Sequence, residues 1–140
     1  MSKPTESQIE KLMSLPIDSP VGALNLFQFN VRAEYQPGDP EFNTPEADVS
    51  GEEAYARYSA AAGPFVVGCG GRVVFSTPVD QILFGPEQPA WDLAAIMYFP
   101  TRRAFTEMLS NAEFKLASRH RIAAFANHWQ LHLAGDPFAL

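Results

Sequence analysis

The chain has 140 residues, 46% of them hydrophobic and 19% charged, with a formal net charge of −6. This describes one folded domain with a core of its own, and the acidic balance argues against nucleic acid, which needs a basic footprint. No apolar run nears the roughly 18–20 residues that cross a bilayer, and the opening MSKPTESQIEK is too polar for a secretory signal, so a cytoplasmic protein without membrane contact is expected.

Residues 5–14 carry Ile9, Leu12 and Met13 at helical spacing behind Thr5, an acceptable N-cap, and Pro16 and Pro20 end that stretch. Residues 1–19 therefore read as an extension that adds a short N-terminal helix. Residues 21–31, VGALNLFQFNV, read as a strand with apolar residues on both faces. Ala23, Phe27, Phe29 and Val31 fall on one side and Leu24 and Leu26 on the other. Asn25 interrupts the first side. Residues 33–50 hold three prolines and a glycine and form a long loop, of the kind used as lids or binding arms.

Ser50 and Glu53 form a capping-box pair that opens a helix, with Ala54, Tyr58 and Ala61 on one face and Tyr55 beside them. Gly63-Pro64 should kink or stop it. Residues 72–84 read as a second strand; Pro78 inside it requires an edge, bulge or bend. Residues 91–99, WDLAAIMYF, form a third strand, again apolar on both faces. Pro100-Thr101 opens a helical region with Phe105, Met108 and Leu109 as its stripe. Ser110 and Glu113 suggest a break near 110–112 and a further helix to about 126, with Phe114, Ala117, Ala124 and Phe125 as core positions. Within it, Lys115, Arg119 and Arg121 read as a solvated basic face. Residues 128–133, HWQLHL, alternate as a last strand: Trp129, Leu131 and Leu133 on one side, His128, Gln130 and His132 on the other. The tail AGDPFAL is expected to be loose or docked on a partner.

The order strand, helix, strand, strand, helix, strand is the ferredoxin-like α+β arrangement, with a four-stranded antiparallel sheet. Helices then cover one sheet face. Strands apolar on both faces need a cover on the other, and a second copy of the chain supplies it. A homodimer through the sheet is expected.

The runs SGEEAYARYSAAAGPFVVGCGGRVVF, WDLAAIMYFPTRRAF and NAEFKLASRHR resemble the family called domain of unknown function 1330, and the resemblance extends over roughly residues 20–133. It implies membership of the dimeric α+β barrel superfamily, in which ferredoxin-like protomers pair their sheets into a closed barrel. That superfamily includes cofactor-free monooxygenases, lactone isomerases, polyketide cyclases and haem-handling enzymes, together with proteins of no known activity. The family's Gly-Gly-Arg step matches Gly70, Gly71 and Arg72. Its Glu-aromatic pair matches Glu113 and Phe114, where tyrosine is more usual, and its later arginine matches Arg121. Cys69 stands where histidine is frequent.

The segment GCGGRVVF, residues 68–75, is not a phosphate loop. Dinucleotide and Walker loops place the glycines after a strand and before a helix, and here the order is reversed. The glycines instead read as a helix C-terminus. Cys69 is the chain's only cysteine, which excludes an internal disulfide, and beside a helix end it reads as packing. His128 and His132 lie four apart on a strand, about 13 Å at roughly 3.3 Å per residue, too far to share a metal. No cofactor and no metal are expected. The candidate ligand-binding residues are Asn25, Tyr55, Tyr58, Arg72, Arg121 and His128. Asn25 is a buried amide in need of a partner. The tyrosines can bring hydroxyls to a cavity mouth. Arg72 can hold a carboxylate or enolate, Arg121 carries the family match, and His128 can carry a proton. Two functions remain open: a binder of a small aromatic or keto-acid-like molecule with cofactor-independent chemistry, or a non-catalytic homodimeric assembly module.

Overall fold

The structure, a computed structural model, describes residues 3–135. The expectation for the tail falls largely on residues 136–140, which lie outside the described residues. The elements in chain order are α1 (Glu6–Ser14), β1 (Val21–Phe29), α2 (Gly51–Gly68), β2 (Arg72–Pro78), β3 (Leu93–Phe99), α3 (Arg102–Ser110), α4 (Ala112–Ala124) and β4 (Phe125–Leu133). A short 3-10 turn, Pro45–Ala47, punctuates the long loop. The four strands form one antiparallel sheet in the order β2-β3-β1-β4, the ferredoxin-like α+β fold.

The helices start where the sequence places their caps. Thr5 closes a full capping box with Gln8, and Ser50 accepts from the Glu53 amide. The break between α3 and α4 is capped by Asn111 rather than Ser110. The Asn111 side chain accepts from the amides of both Glu113 and Phe114. Helix α2 runs through Pro64 instead of stopping there. Ala62 and Val66 on either side of Pro64 are buried in the core, and that burial offsets the lost amide donor. The helix ends in a Schellman motif: Gly70 donates to Val67 and Gly71 to Val66. Gly70 has φ +84°, and a Cβ on Gly71 would come 2.9 Å from the Phe99 ring.

Four strand boundaries differ from the sequence reading, one of them the start of β3 at Leu93 and not at 91. β1 stops at Phe29 because Asn30 leaves the sheet to bond the α4–β4 junction, its amide donating to Ala124 and its side chain to Ala123. Val31, grouped above with Ala23, Phe27 and Phe29, is exposed. β2 is an edge strand, as Pro78 requires, and ends at that proline. α4 gives way to β4 at Phe125, earlier than expected.

Paired residues share a sheet face. Val21, Ala23, Asn25 and Phe27 with Phe99, Met97, Ala95 and Leu93 face the helices. Val21, Ala23 and Phe99 join Ala62, Val66, Phe105, Met108, Phe114 and Ala117 in the main core. The opposite face carries Leu24, Leu26, Phe75, Ile96, Trp129, Leu131 and Leu133. Trp129 and Phe75 are each 48% exposed, and Trp91 packs edge-on against Trp129. Among the described residues no helix is long and apolar enough to cross a membrane.

Candidate functional site

Asn25 is 2% exposed and faces the helices from the centre of the sheet. Its Nδ2 donates to the carbonyls of Ala23 at 3.2 Å and Ala95 at 3.5 Å. Its Oδ1 accepts from Gln130 Nε2 at 2.8 Å and lies 2.9 Å from His128 Nε2. Gln130 Oε1 in turn lies 2.8 Å from His132 Nε2. The polar side of β4 thus faces the helices, and its apolar side faces outward.

The His128 ring sits against Phe27 and Phe125, with centroids at 4.7 and 5.3 Å. Tyr55 packs on the same two rings and lies 6.4 Å from Tyr58, one helical turn on. Arg121, from the last turn of α4, acts electrostatically on both Tyr58 and His128. Burial among the rings, reinforced by that guanidinium, lowers the His128 pKa to about 4, so the imidazole is neutral at pH 7. Burial raises the Tyr58 and Tyr55 hydroxyls and lowers Arg121. Tyr55, Tyr58, Arg121 and His128 are each half-buried.

Five of the six candidates therefore meet between the helices and the β1–β4 half of the sheet. Arg72 does not. It pairs with Tyr98, which pairs with Gly22, so it belongs to the opposite face, with its guanidinium 6.0 Å over the Tyr98 ring. The cation that borders Tyr58 and His128 is Arg121. Cys69 donates to the Val66 carbonyl at the helix end and packs beside the core. Two surface concavities, of about 340 and 240 Å3, lie elsewhere. The first is lined by α1, α3 and Asn111, the second by the loop between β2 and β3.

Sequence reasoning missed a second polar centre. The loop at 33–50 folds back onto its own α2 and α4. Glu41, 6% exposed, receives two bonds from Arg119, both at 2.9 Å. Tyr35 Oη lies 2.7 Å from His120 Nδ1 and accepts from Arg57 at 3.1 Å. The basic face expected at Lys115, Arg119 and Arg121 is thereby divided. Lys115 is exposed, Arg119 clamps the loop, and Arg121 turns toward the sheet. A Glu three residues before a Thr in a proline-rich loop gave no signal of this. Among the described residues no three His, Cys, Asp or Glu side chains cluster to hold a metal.

Residues 45–131 match the family described as Domain of unknown function (DUF1330). A protein of unknown function from Rhodopseudomonas palustris, RPA0582, has a crystal structure similar to this chain, with 29% identity, TM-score 0.82 and 95% of each chain covered. The methylated form of RPA0582 is similar at 28% identity and TM-score 0.85, covering 100% of this chain and 98% of that one. SnoaB, a cofactor-independent oxygenase from Streptomyces nogalater, is a distant likeness at 17% identity and TM-score 0.40, covering 87% and 99%. No curated protein matches the sequence.

Proposed function

The chain belongs to the domain of unknown function 1330 family, and from that premise we propose that it binds a small, largely apolar acid between its sheet and helices and acts on it without a cofactor. The observation that carries this is the meeting of Asn25, Tyr55, Tyr58, Arg121 and His128 on one side of the sheet. The half-buried Phe125 and Tyr55 offer aromatic surface for a ring. Arg121 supplies positive charge for a carboxylate or an enolate, and Tyr58 or His128 offers a group that exchanges a proton with the ligand.

Thermal shift against a panel of aromatic and keto acids tests the reading. We expect stabilisation of the wild-type chain by at least one acid, and its loss in Arg121→Gln. A flat response across the panel overturns the proposal in favour of a non-catalytic assembly module.

The exposed apolar sheet face supports a homodimer as a second element of the proposal. Leu24, Leu26, Ile96, Trp129 and Leu131 form a contiguous surface that a second copy covers by two-fold symmetry. Light scattering should give twice the chain mass for wild type and a shift toward monomer for Leu131→Asp. A wild-type monomer at micromolar concentration contradicts it.

A further inference from the structure

Amide groups and imidazoles can each be turned two ways, so hydrogen-bond direction in such a network needs an anchor. Here the anchor is the main chain. The carbonyls of Ala23 and Ala95 only accept, so Asn25 must point its NH2 toward them. That leaves Oδ1 toward β4. Both groups that meet Oδ1 must then donate. Gln130 donates through Nε2, which turns its own Oε1 toward His132. His132 must donate through Nε2, and so must His128. Two backbone carbonyls on β1 and β3 thus set the tautomer of two histidines on β4. Each neutral ring carries its proton on Nε2 and a lone pair on Nδ1.

Resting on the binding reading above, we propose that Asn25 is a positioning residue that holds His128 as the Nε2–H tautomer, so that Nδ1 accepts a hydrogen bond from the ligand, and that the site therefore selects aromatic acids that also carry a hydroxyl. Arg121 attracts the acid group, the half-buried rings of Tyr55 and Phe125 border the ligand ring, and the Nδ1 lone pair accepts the hydroxyl hydrogen in a hydrogen bond. A group that can only accept, such as a methyl ether, leaves two lone pairs facing each other. The imidazole stays neutral at pH 7, so it recognises a donor and not an anion.

Two measurements on the full chain test this separately. Long-range 1H–15N NMR reads the tautomers directly. We expect His128 and His132 both as Nε2–H in wild type. In Gln130→Met we expect His132 released to a mixture while His128 keeps its tautomer, since Asn25 still holds it. In Asn25→Ala we expect both released, with the His120 signals, which report the distant loop centre, unchanged. His128 found as Nδ1–H in wild type overturns the lock, and Gln130→Met keeps the test informative if Asn25→Ala does not fold. Titration with benzoate, the three hydroxybenzoates and their methyl ethers then reads selectivity. At least one hydroxybenzoate should bind about tenfold tighter than both benzoate and its own ether, the scale of one hydrogen bond. Equal affinities for acid, hydroxy acid and ether overturn the ligand class while the binding reading stands. No binding by any of them overturns the binding reading and the ligand class with it, and the tautomer lock is then decided by NMR alone.

Discussion

Two centres in this protein bury a histidine beside tyrosine and arginine, and they are built to different ends. In the loop centre, His120 meets Tyr35, Tyr35 meets Arg57, and Arg119 meets Glu41. Arg57 also donates to the Glu46 carbonyl, and Tyr35, Glu41 and His120 are all buried. Such a centre fastens a loop. In the sheet centre the base of the network is buried at Asn25, but Tyr55, Tyr58, Arg121 and His128 stay half-buried around it. Arg121 acts electrostatically on Tyr58 and His128 there, and Phe27, Phe125 and Tyr55 wall the group. The difference teaches that burial of a polar side chain does not by itself mark a site. What separates the two centres is how far the groups around the buried core stay open, and the half-buried set is the one proposed to meet a ligand.

The comparison can be broken by mutation. The largest expected effect is on the loop centre: Glu41→Ala leaves Arg119 without its partner and should cost about 3 kcal/mol in chemical denaturation, at the low end for a buried pair because Arg119 keeps some solvent. Acid binding should survive it. A variant that loses both stability and binding would join the two centres into one. Asn25→Leu conserves volume but strips His128 and Gln130 of their acceptor. We expect about 2 kcal/mol lost in the same measurement, and here the preference for a hydroxybenzoate over benzoate should disappear.

Acidification is the next test. The His128 pKa is lower folded, at about 4, than unfolded, near 6.5, so the unfolded chain binds more protons between those values. Stability contributed by this ring is complete above about pH 6.5 and declines as pH falls toward 4. Between pH 7 and 5 the contribution should amount to between about 1 and 2 kcal/mol, allowing for its partial exposure. His128→Phe should flatten the pH dependence in that window, and an unchanged slope would show that the imidazole is not held neutral. His120 and His132 are lowered in the same direction, each chiefly by burial, and leave a residual slope of the same sign. The smallest effect belongs to Arg72→Ala. On the other face of the sheet, it should change stability by less than about 0.5 kcal/mol and leave acid affinity intact, as measured by titration.

Much of this was legible in the amino-acid order. Apolar periodicity, the Ser50 and Thr5 caps and the Gly70-Gly71 terminus determine the elements and hence the ferredoxin-like arrangement, because they act over a few neighbouring residues. Asn25 stood out for the same local reason, a lone amide on an apolar strand face. Strand alternation separates His128 and His132 from Trp129 and Leu131, yet it is silent on which set meets the helices. Pairing of β4 with β1 decided that, and it turned the histidines inward. Arg72 likewise had its neighbours right and its face unknown until the pairing of β2 with β3 set it beside Tyr98. Arg119 and Arg121, two positions apart on one helix, were indistinguishable as charges. Only the loop returning with Glu41 drew the first outward to an ion pair and left the second beside Tyr58 and His128. The sequence by itself determined the elements and their order, since propensity and capping are short-range. Which residues share a site is a matter of register and of long loops closing, and those are settled only when distant segments pack.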